Sequence, residues 1–204
     1  MAGHVLVDRD RCTGCGTCVS VCVYNALNIS EGISNVDEEK CLGCGACVPS
    51  CPNMALSLEG AGLENIIEQV RGVLKGLKAG PGEPVVLIFA CEETVKKGFD
   101  LSSLAELPGA SNVRSITVRC VSSLDPLAVL EAFRSGADVI VVAGYGCSGC
   151  EFKDVGPLAE DRMRSLSKAM EEAGLPGRII VGLLEEPDGE ALLKLVEGAI
   201  RSYS

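Results

Sequence analysis

The sequence predicts two structural classes in one chain: a small cysteine-rich α+β module, then an α/β domain whose mainly parallel sheet is covered by helices. Three observations predict it. Eight of the twelve cysteines fall within the first 51 residues, in two blocks of the same spacing. An amphipathic stretch and a glycine–proline break follow them. From residue 83 onward, apolar runs of strand length alternate with segments of helix length, the pattern of a parallel sheet with helices between its strands. The expected division is residues 1–58 for the module, 59–82 for a helix and linker, and 83–204 for the α/β domain.

The first block reads Arg11-Cys12-Thr13-Gly14-Cys15-Gly16-Thr17-Cys18-Val19-Ser20-Val21-Cys22, and the second Lys40-Cys41-Leu42-Gly43-Cys44-Gly45-Ala46-Cys47-Val48-Pro49-Ser50-Cys51. Each cysteine of one maps onto the other at an offset of 29, and the match continues into Asn25-Ala26-Leu27-Asn28-Ile29 and Met54-Ala55-Leu56-Ser57-Leu58. This is a duplicated unit with pseudo-two-fold symmetry. In C-x2-C-x2-C, three thiolates from one short loop cap three irons of a cubane. Gly14, Gly16, Gly43 and Gly45 let backbone amides turn toward the inorganic sulfides. The fourth cysteine, three residues on, ligates the cluster of the other half. One [4Fe–4S] cluster is therefore expected on Cys12, Cys15, Cys18 and Cys51, and a second on Cys41, Cys44, Cys47 and Cys22. Zinc is the competing reading, but its closed four-ligand sites favour paired C-x2-C knuckles, and this run would leave a cysteine over at each site.

Residues 3–58 resemble bacterial-type two-cluster ferredoxins, which implies a ferredoxin-like fold for this part. Val5-Leu6-Val7 and Ile33-Ser34-Asn35-Val36 read as its small antiparallel strands. Cys51-Pro52 keeps that family's proline after the fourth cysteine. Cys22-Val23 does not, which frees a backbone N–H beside a cluster.

Leu63, Ile66, Ile67, Val70, Val73, Leu74 and Leu77 form one apolar stripe, expected as a helix of about four turns ended by Lys78-Ala79-Gly80-Pro81-Gly82 and packed on the second domain. Pro84-Val85-Val86-Leu87-Ile88-Phe89-Ala90 is a continuous apolar run, as for a strand buried on both faces. Further strands are expected at 115–119, 138–143 and 178–183. Asp125-Pro126 starts a helix that Gly136 ends, and another spans about 158–173 with Gly174 after it. A last helix follows Glu186-Pro187.

The other four cysteines follow strands: Cys91 the first, Cys120 the second, Cys147 and Cys150 the third. Open α/β sheets build their sites at these carboxyl ends, so neighbouring strands would bring the thiols to one edge. The arrangement resembles the delta subunit of methyl-viologen-reducing hydrogenase over about residues 84–185. The resemblance is carried by Cys91, by Arg119-Cys120, by Ala132-Phe133-Arg134-Ser135-Gly136-Ala137-Asp138-Val139-Ile140-Val141-Val142-Ala143-Gly144, and by Cys150-Glu151-Phe152. It implies a [2Fe–2S] cluster on Cys91, Cys120, Cys147 and Cys150. It also implies a role in relaying electrons between a hydrogenase or formate dehydrogenase and the flavoprotein of heterodisulfide reductase. The chain departs from that family at Thr94 and Tyr145, where the family has cysteines, with Cys147 as the replacement for the latter. The same thiols also fit small buried packing residues, a Cys147/Cys150 disulfide pair, or zinc.

Composition narrows the function. A net charge of −10 argues against nucleic acid, and no run reaches eighteen apolar residues, so no membrane insertion is expected. The start of the chain lacks the pattern of a signal peptide, and dense low-potential clusters suit an anaerobic cytoplasm. With no Walker motif and no acid/base cluster, the expected role is an electron-transfer component of an oxidoreductase complex rather than an enzyme. The alternative is a redox-sensing or docking adaptor whose α/β domain holds no cluster. His4 is expected in a solvated terminus. Lys96, Lys97, Glu160, Asp161, Arg162, Arg164, Glu171 and Glu172 are expected to cover solvated faces.

Overall fold

The computed structural model describes residues 3–80, 83–96, 104, 107, 109–145, 150–175, 177–184, 189–201 and 203. Its N-terminal part holds β1 (Val5–Val7), α1 (Thr17–Val21), β2 (Leu27–Ser30), β3 (Ile33–Val36) and β4 (Leu56–Leu58). β1 pairs antiparallel with β4, Val5 opposite Leu58, and β2 pairs antiparallel with β3, Leu27 opposite Val36. The two ribbons are images of each other at the repeat offset. The turns repeat as well. Asp8 Oδ1 accepts from the amides of Asp10 and Arg11, as Asp37 Oδ1 does from Glu39 and Lys40. Val5, Leu27, Leu56 and Leu58 make a small core around Cys18 and Cys47. β2 and β4 had shown only as repeated segments, because a strand of three or four residues offers too few alternations to be legible.

α2 (Leu63–Leu74) is shorter than its stripe. It stops ahead of Gly76, whose left-handed backbone (φ +81°) a helix does not continue through. This corrects the expected end at 78–82. Leu77 lies past the helix and still packs against the main core.

The second part contains β5 (Val86–Cys91), α3 (Glu92–Lys96), β6 (Val113–Val118), α4 (Pro126–Arg134), β7 (Val139–Tyr145), α5 (Gly156–Glu172), β8 (Arg178–Leu184) and α6 (Gly189–Arg201). Its four strands form a parallel sheet in the order β6-β5-β7-β8. β5 is central and every one of its residues is buried, which is why it reads as an unbroken apolar run. Its side chains alternate between two cores. Leu87 and Phe89 face Val70, Leu74, Val129 and Met163 of α2, α4 and α5, while Val86 and Ile88 face Leu192 and Val196 of α6. Asp125 caps α4 through a 2.8 Å bond from the Leu127 amide to Oδ1, with Pro126 in the first turn, as the sequence signalled.

α2 is part of the α/β core rather than a tether. Arg71 Nε lies 2.7 Å from Glu131 Oε1 on α4, and Arg134 donates to both oxygens of the same carboxylate at 2.8 Å. The core also takes in Tyr24, Leu42, Cys44 and Ala46 of the cysteine-rich part, so the two parts share one apolar interior. Among the described residues, no helix is long and apolar enough to cross a membrane.

Candidate functional site

The duplicated loops place their thiols in two groups. Cys12, Cys15, Cys18 and Cys51 line one cavity together with Gly14, Gly16, Ile29 and Ser34, so the fourth thiol comes from the other half of the repeat. Polar hydrogens point at these sulfurs. The Ser34 amide donates to Cys12 Sγ and the Ala55 amide to Cys51 Sγ, both at 3.3 Å, and Ser34 Oγ lies 3.3 Å from Cys18 Sγ. Among the described residues, no histidine or carboxylate lines this cavity. Four soft donors with amides aimed at sulfur fit an iron–sulfur cluster. Cys15 is exposed, and hydrogen bonding from Thr17 holds its thiol below the usual range.

The second group is more enclosed. Burial pushes the thiols of Cys44 and Cys47 up, and the charges of Cys22 and Cys41 act on both in the same direction. Cys22 is thus within electrostatic range of the thiols of the other loop. Thiols so enclosed ionise only when a positive centre offsets them, which an iron–sulfur core does. The Ala26 amide donates to Cys22 Sγ at 3.3 Å, the repeat image of Ala55 and Cys51. The valine in place of proline at 23 leaves that bond unchanged.

The α/β part closes over this second loop. Arg119 donates through Nε to the Gly43 carbonyl at 2.7 Å and through Nη2 to that of Leu42 at 3.1 Å. Ser122 Oγ lies 3.3 Å from the Cys44 carbonyl and 3.1 Å from Cys120 Sγ. Arg162 donates to the carbonyls of Ser122 at 2.8 Å and Ala46 at 3.2 Å, and to Ser50 Oγ at 3.1 Å. This corrects the expectation that Arg162 covers a solvated face. A half-buried guanidinium with five donors is well suited to bridging the carbonyls of two loops. His4 is also half-buried, with Nδ1 enclosed and unpartnered, rather than solvated.

Gly43 and Gly45 serve this closure as well as the loop. Both have positive φ, and a Cβ on Gly43 would run into the Gly3 carbonyl. A Cβ on Gly45 would meet Leu58 Cδ1 at 2.5 Å and Ser123 Cβ at 2.6 Å.

Cys91, Cys120 and Cys150 are buried at the carboxyl edge of the sheet, because β5 lies between β6 and β7. Cys147 lies outside the described residues. Burial pushes the Cys120 thiol up to about 11, and Cys44 and Cys91 are both within electrostatic range of it. Thr94 is buried with Oγ1 3.1 Å from Cys91 Sγ, and the Phe152 amide donates to Cys150 Sγ at 3.3 Å. Tyr24 donates to the Glu151 carbonyl at 3.2 Å, and burial raises its phenol, with Cys44, Cys120 and Cys150 adding to the effect. Tyr24 is therefore within electrostatic range of Cys44 in the second loop and of Cys120 and Cys150. Sequence reasoning missed Ser34, Tyr24, Ser122 and the inward role of both arginines. Only Arg119, next to Cys120, carried any signal.

Comparison with known proteins gives a match in each part of the chain. Residues 86–202 match the family described as methyl-viologen-reducing hydrogenase, delta subunit, and residues 4–52 match a 4Fe-4S dicluster domain. A ferredoxin:CoB-CoM heterodisulfide reductase polypeptide from Methanosarcina mazei is 36% identical over 191 residues, covering 93% of this chain and 24% of the relative. The corresponding polypeptide of the ferredoxin/F(420)H(2)-dependent reductase of Methanosarcina acetivorans is 35% identical over the same shares. The vhu iron-sulfur polypeptide of the F420-non-reducing hydrogenase from Methanococcus maripaludis is 32% identical over 95 residues, 47% of this chain and 71% of the relative. The chain thus spans about a quarter of the length of the heterodisulfide reductase relatives, 24% in each case.

Proposed function

We propose a function for this chain from the fact that it belongs to the methyl-viologen-reducing hydrogenase delta subunit family and carries a 4Fe-4S dicluster domain: it is a non-catalytic electron relay within an oxidoreductase complex. Two [4Fe–4S] clusters sit on Cys12, Cys15, Cys18 and Cys51 and on Cys22, Cys41, Cys44 and Cys47. When bound, they supply outer-sphere one-electron transfer. The chain's own residues enclose them and aim N–H and O–H groups at their sulfurs, which sets their potentials. The observation that carries this reading is the cavity lined by Cys12, Cys15, Cys18 and Cys51, since a cluster shared between the halves requires that crossover.

The proposed path runs inward from exposed Cys15 to the enclosed second loop, and from there past Tyr24 to the sheet edge. Cys91, Cys120 and Cys150, with Cys147, would hold a [2Fe–2S] cluster there. The proposed partners are a flavoprotein of the heterodisulfide reductase type and a hydrogenase or dehydrogenase, by analogy with the relatives' names. The proposed setting is the cytoplasm, where thiols stay reduced.

A second reading, a docking domain without a cluster, is favoured by one observation: Cys91 and Cys120 already have hydroxyl neighbours in Thr94 and Ser122. Iron and acid-labile sulfide per chain, with EPR of the reduced protein purified without oxygen, separates the two. Ten irons, with a [2Fe–2S] signal lost in Cys120→Ser, is the result expected of three centres. Eight irons with cubane signals alone would establish the docking domain. Fewer than eight would refute the relay.

A further inference from the structure

The two metal loops are equivalent in sequence and unequal in surroundings. Arg119 and Arg162 both reach the second: one holds the carbonyls of Leu42 and Gly43 between Cys41 and Cys44, the other the Ala46 carbonyl between Cys44 and Cys47 together with Ser50 Oγ. All of these acceptors are neutral. Among the described residues, neither arginine has a carboxylate at ion-pair distance, and Asp125, which acts on Arg162 from farther away, already caps α4. The structure therefore holds two half-buried positive charges against one cluster loop. Among the described residues, the first loop receives nothing comparable. Arg9 and Arg11 beside it are exposed, and they donate to Asn35 Oδ1 and the Met54 carbonyl.

Reduction adds a negative charge to a cluster, and burial disfavours that charge, so the enclosed second cluster would by burial alone sit below the exposed first one. A nearby fixed cation stabilises the reduced form, and more strongly where water does not screen it. We propose that Arg119 and Arg162 raise the potential of the cluster on Cys22, Cys41, Cys44 and Cys47, keeping it within reach of electrons from the cluster on Cys12, Cys15, Cys18 and Cys51. The α/β domain thus tunes one member of a duplicated pair as well as docking against it. This inference rests on the two-cubane reading above.

The test is an EPR-monitored redox titration of the anaerobically purified full chain, with iron counted on the same samples. In Arg162→Gln, one of the two cubane midpoints falls, so that its reduced-to-oxidised ratio at fixed poise drops about tenfold, about 59 mV for a one-electron couple. The other midpoint stays in place. Arg162→Lys, which keeps the charge and loses the fork, recovers most of the shift. Ser34→Ala moves the other midpoint, because it removes the hydroxyl beside Cys18 Sγ. If Arg162→Gln sheds iron, Arg119→Gln carries the same expectation. Unmoved midpoints, midpoints that move together, or a lysine variant no better than glutamine would overturn the proposal while leaving the clusters in place. A wild-type chain with fewer than eight irons would overturn the two-cubane reading beneath it.

Discussion

Gly16 and Gly45 are the same residue of the two repeats, and substituting each by alanine tests how the two parts of the chain meet. Both adopt the left-handed backbone, at φ +81° and +77°. A Cβ in that conformation costs roughly 1–2 kcal/mol at either site. The entropy that alanine removes from the unfolded chain is the same for both and cancels in the comparison. What differs is the space. A Cβ on Gly16 meets nothing within 4 Å, whereas one on Gly45 meets Leu58 Cδ1 at 2.5 Å and Ser123 Cβ at 2.6 Å. Forcing a carbon into packed surroundings costs a further 1–3 kcal/mol, roughly. Gly45→Ala should therefore destabilise by about 2–5 kcal/mol against about 1–2 kcal/mol for Gly16→Ala. Urea unfolding of the anaerobic full chain, followed by far-UV circular dichroism and by visible cluster absorbance, measures the gap. Equal midpoints for the two variants would refute the docked arrangement, since Ser123 would then not lie on Gly45.

Two further outcomes follow from the same geometry. Hydrogen bonds from Arg134 and then Arg71 hold the Glu131 carboxyl at about 2, well below its ordinary value near 4.3. A depressed carboxyl contributes stability that is complete above the unfolded value and is lost as pH falls through the folded one. Glu131→Gln should therefore flatten the stability profile between about pH 4.3 and pH 2, as read by urea titration at fixed pH, and an unchanged slope would count against the clasp. For the metal loops, Cys22→Ser should remove the cluster of the far loop rather than that of its own, so iron falls by four while the exposed cluster's EPR signal persists. Loss of the exposed cluster instead would reverse the crossover.

The sequence showed the elements that rest on local chemistry. The β5 run, the Asp125-Pro126 start of α4 and the twenty-nine-residue repeat each state their structure within a few residues. It concealed whatever depends on the approach of distant segments. Arg162 sits in a helix among Glu160, Asp161 and Arg164, and nothing local separates it from them. Its role appears only when α5 brings it against Ala46, 116 positions away. Gly45 reads as a copy of Gly16, and Ser123 reads as loop, until packing places one on the other. Thr94 read as a departure from a cysteine pattern, and the structure shows it buried against the Cys91 sulfur. The missing thiol left a hydroxyl facing sulfur.

Duplication makes two sites alike, and a relay needs them to differ. An electron moves between two centres with a direction only if their surroundings set them apart. The module's own residues do part of this: the repeat copies the Asp8 and Asp37 turns and the Ala26 and Ala55 amides alike, but the Ser34 hydroxyl beside Cys18 has Val5 as its repeat counterpart. The difference in enclosure comes from outside the repeat. The α/β domain packs against Cys44 and holds its loop through Arg119, Ser122 and Arg162, whereas its repeat image Cys15 is exposed beside Thr17. Tyr24 then carries the asymmetry onward, since its repeat image is Asn53, which donates to Thr13 at 2.7 Å on the outer face instead of entering the shared core. The fused domain gives a symmetric module an inside and an outside, and the path proposed above from Cys15 to Cys120 would follow that gradient of enclosure.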